Sequence, residues 1–185
     1  MTDASLILAS ASPQRRAILE QIGVTFEIRV PSVEELEEGP AAEVALENAY
    51  RKAAAIAPAE LPVLGVDTVV SLGARIYGKP EDPGQAAEML TALAGQRHVV
   101  ISGVCLIHGD RVRTAAAQTA VEFRELEPRA IDAYVRTGEW EGRAGAYAIQ
   151  GRGATLVTRI DGDYLNVVGL PVPTLLDLAP QLIAD

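Results

Sequence analysis

The stretch LILASASPQRRAILEQIG (residues 6–23) is typical of a strand, a turn and a helix in immediate succession. LILA is a short apolar run of the kind that forms buried strands. Ser12 is a favourable N-cap with Pro13 at the first helical position, and the apolar helix pattern stops at Gly23. This order of elements predicts an α/β protein, in which strand ends and helix starts meet at one edge of a sheet.

The turn between this strand and this helix has the composition of an anion site. Free N–H groups and the helix dipole favour an anion at a helix start. Ser10 and Ser12 add hydroxyl donors, and Arg15 and Arg16 can form forked hydrogen bonds with phosphate. A capped helix with solvated arginines would explain Ser12 but gives no reason for Ser10. Alone, the turn is a weak phosphate signal.

The rest of the chain mixes strand and helix patterns irregularly. We therefore predict an α/β fold with a mixed central β-sheet flanked by helices, in one domain that spans residues 1–185. Strands are predicted at residues 26–30, 61–73, 74–78, 98–107 and 111–123, and residues 146–160 and 166–171 are expected to complete the sheet. Further helices are predicted at residues 41–57, 83–95, 128–138 and 173–183.

Composition excludes several classes of function. The net charge of −9 and the pI of about 4.8 argue against a nucleic-acid binder, which needs a basic face. No apolar run reaches the length of a membrane span, and no secretory signal is expected. The single cysteine, Cys105, lies in a strand pattern and is expected to be a buried thiol in a reducing compartment. Of the 16 lysines and arginines only Lys52 and Lys79 are lysine, so both are candidates for a functional point charge.

Asp67 is the second candidate for chemistry. It is the only carboxylate in the apolar run VLGVDTVVSL, residues 63–72. An unpaired buried carboxylate would cost several kcal/mol, so Asp67 must be hydrogen-bonded, paired with a cation or bound to a metal. Bonds to Thr68 and to nearby backbone N–H groups would satisfy a purely structural role. A catalytic or metal-binding aspartate is at least as good an explanation.

Lys79 lies in GARIYGKP, which has the spacing of a P-loop but ends in Pro80 where a P-loop has Ser or Thr. Pro80 also disfavours the helical geometry that a P-loop lysine adopts, so we reject a P-loop. The predicted hairpin would instead carry Lys79 back towards the strand of Asp67. His98 and His108 are too few and too far apart to indicate a zinc site.

Five ordered motifs, LASASPQRR, GVDTVV, YGKP, AGAYAIQGRGA and DYLNVVGLP, resemble those of the Maf family of nucleotide pyrophosphatases, also called septum formation inhibitor proteins. The resemblance covers nearly the whole chain. It implies a two-lobed fold with a deep active-site cleft, similar to that of inosine triphosphatases. It also implies cytoplasmic hydrolysis of a nucleoside triphosphate to the monophosphate and pyrophosphate, with Mg²⁺ or Mn²⁺ as cofactor. Such an enzyme would serve nucleotide-pool housekeeping, and a homodimer is expected.

The resemblance assigns roles to individual positions of this sequence. The catalytic aspartate falls on Asp67, and the metal ligands fall on Asp67 and Glu34, with Glu35 as the alternative to Glu34. The phosphate-binding residues fall on Ser10, Arg15, Lys52 and Lys79. The residues linked to substrate specificity fall on Gln14, Thr68 and Gln150.

Gln150 matches the branch of the family that acts on dTTP and UTP, whereas the sister branch acting on 7-methyl-GTP has a glutamate there. Two positions depart from the family pattern. Gln14 replaces the first arginine of SPRR, and Arg143 replaces the lysine of KAGAY. Other or modified pyrimidine nucleotides are therefore further candidate substrates. The alternatives are a 7-methyl-GTP pyrophosphatase and a nucleotide-binding regulator of cell division without turnover.

Overall fold

The computed structural model describes residues 4–183. The strands are β1 (Leu6–Ala9), β2 (Phe26–Ile28), β3 (Val63–Leu72), β4 (Arg75–Tyr77), β5 (Arg97–His108), β6 (Arg111–Phe123) and β7 (Val157–Asp161). The helices are α1 (Pro13–Gln21), α2 (Ala41–Ala54), α3 (Pro83–Leu93), α4 (Pro128–Val135), α5 (Tyr164–Val168) and α6 (Val172–Leu178). All the strands form one mixed sheet in the order β2-β1-β3-β5-β6-β7, with β4 paired to β3. The predicted mixed α/β fold is confirmed.

The sheet has a gap beside the middle of β3. One edge of β3 pairs with β5 over residues 63–71. The other edge is shared, since β1 runs parallel to residues 63–65 and β4 runs antiparallel to residues 70–72. Within the described chain, residues 66–69 therefore have no strand neighbour on that edge. Asp67 and Thr68 lie in this gap.

Helix α2 packs directly on the backbone of the two central strands. A Cβ atom on Gly65 would overlap the carbonyl oxygen of Ala49, and one on Gly103 would overlap that of Ala45. The two glycines therefore allow the helix and strand backbones to touch. As a result, one face of α2 lies directly over Asp67, which is paired with Gly103 in the sheet.

Helix α2 covers one face of the sheet through an apolar cluster that includes Ala49, Ala53 and Cys105, and two further clusters cover the other face. One cluster packs α1 and α6 against β1 and β3 through residues such as Leu19, Leu64 and Leu175. A second packs α3 and α4 against the far part of the sheet through Leu90 and Phe123. Cys105 is buried, and burial raises the pKa of its thiol to about 11, as expected of a structural cysteine. No helix among residues 4–183 is both long and apolar enough to cross a membrane.

The predictions for residues 146–156 and 166–171 were wrong, because neither segment is a strand. Residues 146–156 form turns and the 3₁₀ helix Arg152–Leu156, and only Val157–Asp161 pairs with β6. Gly145 and Ala146 have φ angles of 69° and 62°, which a strand does not allow. Residues 164–168 are the helix α5, which Asp163 caps by accepting a hydrogen bond from the Leu165 N–H at 2.8 Å.

Candidate active site

A cleft of about 410 Å³ opens at the gap in the sheet. The segment after β1, the middle of β3, the end of α2, the turn after β4 and the loop before β7 all contribute to its walls. Eight residues selected from the sequence line it: Ser10, Gln14, Arg15, Lys52, Asp67, Thr68, Lys79 and Gln150. The tertiary structure thus brings together positions that are spread over 140 residues of sequence.

Asp67 forms the centre of a buried network at the foot of the cleft. Its Oδ1 lies 2.6 Å from Lys52 Nζ, and its Oδ2 accepts a hydrogen bond from Asn48 Nδ2 at 3.2 Å. Burial alone would raise the pKa of Asp67, but the Lys52 ammonium, the Arg15 guanidinium and the Asn48 amide together hold that pKa below its usual value. Asp67 is therefore ionised at neutral pH, although it is only 5% exposed.

The structure brings Glu35, rather than Glu34, to the cleft. Glu35 Oε1 lies 2.9 Å from Lys52 Nζ, and Glu35 lines the cavity. The side chain of Glu34 is exposed and is not among the cavity-lining residues, and its carbonyl oxygen accepts a hydrogen bond from Arg51 at 3.2 Å. Sequence periodicity cannot show which of two neighbouring residues in an irregular loop faces the cleft. The next residue, Leu36, is held by hydrogen bonds of its main chain to Asn48 on α2.

Arg15 holds together the wall of the cleft that the segment after β1, the middle of β3 and Gly169 form. Its Nε donates to the carbonyl oxygen of Gly169 at 2.9 Å, its Nη1 to Ser10 Oγ at 3.0 Å and its Nη2 to Thr68 Oγ1 at 3.2 Å. Burial lowers the pKa of Arg15, and the nearby Asp67 and Glu35 oppose that shift. Arg15 is 8% exposed, and three of its five N–H groups bind protein atoms. Arg15 therefore holds the residues of this wall together and also contributes a positive charge to the cleft.

These contacts explain Ser10. Its hydroxyl oxygen accepts hydrogen bonds from Arg15 Nη1 and, at 3.2 Å, from the Ser12 N–H. No acceptor for its own proton is found among the described residues, so the hydroxyl can donate to a bound group. Arg16 lies elsewhere, because it is exposed and pairs with Glu20 at 2.8 Å outside the cleft.

The far wall carries two further cations. The Gly145 N–H donates to the Gly78 carbonyl at 3.1 Å, and this bond joins the loop of Arg143 to the turn of Lys79. Both side chains line the cleft. Lys79 is exposed with no ion pair to a described residue, and Arg143 Nε is buried without a hydrogen-bond partner among residues 4–183. An anionic ligand would supply the partner that these groups lack.

The three residues that the family resemblance links to specificity differ in how firmly the protein holds their side chains. Thr68 Oγ1 bonds to Ser102 Oγ at 2.8 Å as well as to Arg15, so its position is determined by the protein. Gln14 Oε1 accepts from Ser12 Oγ at 3.2 Å. Gln150 is exposed at the cleft and makes no hydrogen bond to a described residue, so its amide can bind a ligand. Apolar side chains line the cleft as well, among them Val70, Val100 and Tyr147.

Three carboxylates line the cleft, Asp67, Glu35 and Glu141, and two of them, Asp67 and Glu35, meet at Lys52 Nζ. Within residues 4–183 no group of three His, Cys, Asp or Glu side chains could hold a metal ion. Mg²⁺ is commonly held by one or two carboxylates together with substrate phosphates and water, and does not need a cage made only of protein. The donor set therefore fits a divalent cation whose coordination a phosphate substrate completes.

Sequence reasoning missed Asn48. It is 1% exposed and lies on α2, four residues before Lys52, on the face that covers Asp67. A signal was present, because an asparagine among the apolar residues of a buried helix face needs a hydrogen-bonding partner. The sequence could not say which one.

Comparison with known proteins shows which family this chain belongs to. The family model described as Maf-like protein matches residues 5–182. A dTTP/UTP pyrophosphatase of Gloeobacter violaceus is 49% identical over 181 residues, which cover 95% of each chain. A dTTP/UTP pyrophosphatase of Moorella thermoacetica is 47% identical over 90% of this chain and 89% of its own, and one of Thermococcus kodakarensis is 46% identical over 90% and 91%. These matches show that the chain belongs to the Maf family.

Proposed function

We propose that this protein is a nucleoside triphosphate pyrophosphatase that hydrolyses dTTP and UTP to the monophosphate and pyrophosphate. The observation that carries the proposal is the convergence of Ser10, Lys79 and Arg143, with free donors, on a cleft whose foot holds an ionised Asp67. The relatives named dTTP/UTP pyrophosphatase support the choice of substrate. Cleavage of a phosphoanhydride needs this combination of positive groups and an oriented water.

The chain's own residues would bind and orient the triphosphate. The Ser10 hydroxyl and the start of α1 donate hydrogen bonds to phosphate oxygens. Lys79 and Arg143 contribute charge from the opposite wall, so that the triphosphate lies between the two walls of the cleft. Lys52 offsets part of the negative charge of Asp67 and Glu35 in the free protein, which limits their repulsion of the incoming anion.

Asp67 would accept a hydrogen bond from the water that attacks the α-phosphorus, while pyrophosphate leaves. Its lowered pKa keeps it an acceptor at neutral pH. A divalent cation, Mg²⁺ or Mn²⁺, held by Asp67 and Glu35 would supply Lewis-acid stabilisation of the charge on the phosphate oxygens. In this proposal Glu35 takes the role that the resemblance gave to Glu34.

Gln150 would read the base, because an amide offers both a donor and an acceptor and a uracil or thymine edge presents both. We place the reaction in the cytoplasm as nucleotide-pool housekeeping. One domain spanning residues 1–185 would carry it, and a homodimer is the expected assembly.

The test is a panel of dTTP, UTP, CTP, GTP and 7-methyl-GTP, assayed for pyrophosphate and monophosphate with Mg²⁺, with Mn²⁺ and with a chelator. We expect the highest kcat/KM for dTTP and UTP, and no turnover with the chelator. A preference for 7-methyl-GTP would contradict the substrate assignment. Binding of nucleotides without release of pyrophosphate from any of them would mean that the protein is a regulator without turnover.

A further inference from the structure

Asn48 uses its side-chain amide to join two parts of the active site. Its Oδ1 accepts a hydrogen bond from the Leu36 N–H at 2.7 Å, and its Nδ2 donates to the Leu36 carbonyl at 2.9 Å. The same Nδ2 donates to Asp67 Oδ2 at 3.2 Å. Both donor hydrogens of the amide are therefore engaged, one by the main chain of residue 36 and one by Asp67.

The contact with Leu36 holds the main chain next to the glutamate that lines the cleft. An amide that pairs with both the N–H and the C=O of one residue holds that residue as a neighbouring strand would. Leu36 directly follows Glu35 in a segment that has no regular secondary structure between residues 29 and 37. Clamping residue 36 therefore fixes the main chain beside Glu35, whose carboxylate then meets Lys52 at 2.9 Å.

The contact with Asp67 orients the carboxylate of that residue. Asn48 occupies Oδ2, so Oδ1 faces Lys52. Residues 34, 35, 37 and 38 are all acidic and are repelled by Asp67, so the ion pair of Glu35 with Lys52 and the hydrogen bonds of Asn48 hold this segment beside it. An apolar side chain would fill the same buried space without the cost of burying an amide, so packing alone does not explain an asparagine here.

We propose that Asn48 is a positioning residue that holds Asp67 and the Glu35 segment in one arrangement for catalysis. The inference rests on the proposed function, because it assigns Asn48 a part in that reaction. Outer hydrogen-bond partners of this kind keep a site pre-organised, and their loss costs about 10- to 100-fold in activity or metal affinity.

Two variants separate the two contacts. Asn48→Leu removes every hydrogen bond of the amide and keeps its branched shape. Asn48→Asp retains an acceptor for the Leu36 N–H but replaces the N–H given to Asp67 by a second carboxylate, which repels Asp67 or shares a proton with it. Arg51→Ala is the matched control, because it removes the other, exposed anchor of the same segment and does not touch Asp67.

The first readout is hydrogen exchange of the Leu36 amide in the protein without nucleotide. We expect protection in the wild type, in Arg51→Ala and in Asn48→Asp, and loss of protection in Asn48→Leu. The second readout is kcat and KM for the best nucleotide of the panel at saturating Mg²⁺. In both Asn48 variants we expect kcat to fall about 10- to 100-fold while KM changes little, because Ser10, Lys79 and Arg143 are unaltered. Arg51→Ala should have the kcat of the wild type.

An unprotected Leu36 amide in the wild type would overturn the inference, as would a wild-type kcat in folded Asn48→Leu. A purely structural role predicts lower stability with unchanged kcat. If Asn48→Leu does not fold, Asn48→Ser replaces it, because serine removes the amide without adding apolar bulk. The absence of any turnover in the wild type would instead refute the proposed function, and hydrogen exchange would still test the clamp.

Discussion

Lys52 Nζ and Asp67 Oδ1 form an ion pair of 2.6 Å that joins α2 to β3, with both side chains buried. A buried ion pair contributes little net stability, because desolvation offsets much of the attraction. Apolar residues of similar size would serve the fold as well. The pair is therefore best explained by what it does at the cleft, and the predictions below follow from that arrangement.

Asp67→Asn should abolish hydrolysis and leave the fold intact. The amide removes the charge that orients water, and we expect kcat to fall at least about 100-fold. Lys52 keeps Glu35 as a partner at 2.9 Å, so the variant leaves no isolated buried charge. Pyrophosphate release and circular dichroism check both parts, with the exposed Asp110→Asn as control. Turnover within a few-fold of wild type would remove Asp67 from the mechanism.

Lys79→Ala should slow turnover about 100-fold, as the loss of one pre-organised charge does, without changing the free energy of unfolding. Lys79 is exposed in the cleft and has no ion pair to a described residue. Arg75→Ala is the matched control, because Arg75 lies in the same hairpin outside the cleft. Lys52→Ala is a poorer test, because it also leaves the buried Asp67 carboxylate without its ion-pair partner. Equal rates in Lys79→Ala and Arg75→Ala would mean that Lys79 does not bind substrate.

Gln150→Glu should weaken the preference for dTTP and UTP. An ionised glutamate offers only acceptors, so the acceptor edge of a uracil or thymine ring loses its donor. The measurement is kcat/KM for dTTP, UTP, CTP, GTP and 7-methyl-GTP, and Gln118→Glu on the exposed face of β6 controls for the added charge. An unchanged ranking would show that Gln150 does not read the base.

Gly65→Ala should destabilise the protein by about 1–3 kcal/mol, as overpacking of a tight contact does. The new Cβ would meet the Ala49 carbonyl, so α2 would have to move away from β3. Gly78→Ala is the control, since a Cβ there meets no atom within 4 Å. Urea unfolding of both variants measures the difference. Similar midpoints would mean that α2 adjusts freely.

Acid should destabilise the fold through His98. Burial lowers the pKa of this fully buried histidine from 6.5 to about 4, so the folded state binds its proton less readily than the unfolded state. The stability that the neutral ring contributes is complete above the unfolded pKa and is lost as the pH falls towards the folded one. From pH 7 to pH 4.5 the loss should be roughly 2 kcal/mol.

The check on His98 is urea unfolding at both pH values for the wild type and for His98→Gln, which does not titrate there. The difference between the two proteins removes the contribution of the carboxylates. We expect the wild type to lose more stability on acidification than the variant does. Equal losses would mean that His98 titrates normally in the folded protein.

Local pattern predicted much of this molecule. The short apolar run before Ser12, the N-cap and Pro13 specified β1 and α1 in advance, because a strand run and a cap are read from neighbouring residues. The same reasoning failed at residues 146–156, since apolar residues buried in turns look like a strand when only their hydropathy is considered. Asp67 stood out because a carboxylate in an apolar strand needs a partner.

The sequence by itself determined which residues carry charge into the core and which segments form the central strands and helices. Only the tertiary structure decided which of these residues contact one another. Arg15 reaches Gly169 across 154 positions of sequence, and Glu35, not Glu34, lines the cleft beside the residue that Asn48 clamps. Local periodicity reflects contacts a few residues apart, whereas these pairings depend on the gap that β1 and β4 leave beside β3 and on the close approach of α2 over Gly65.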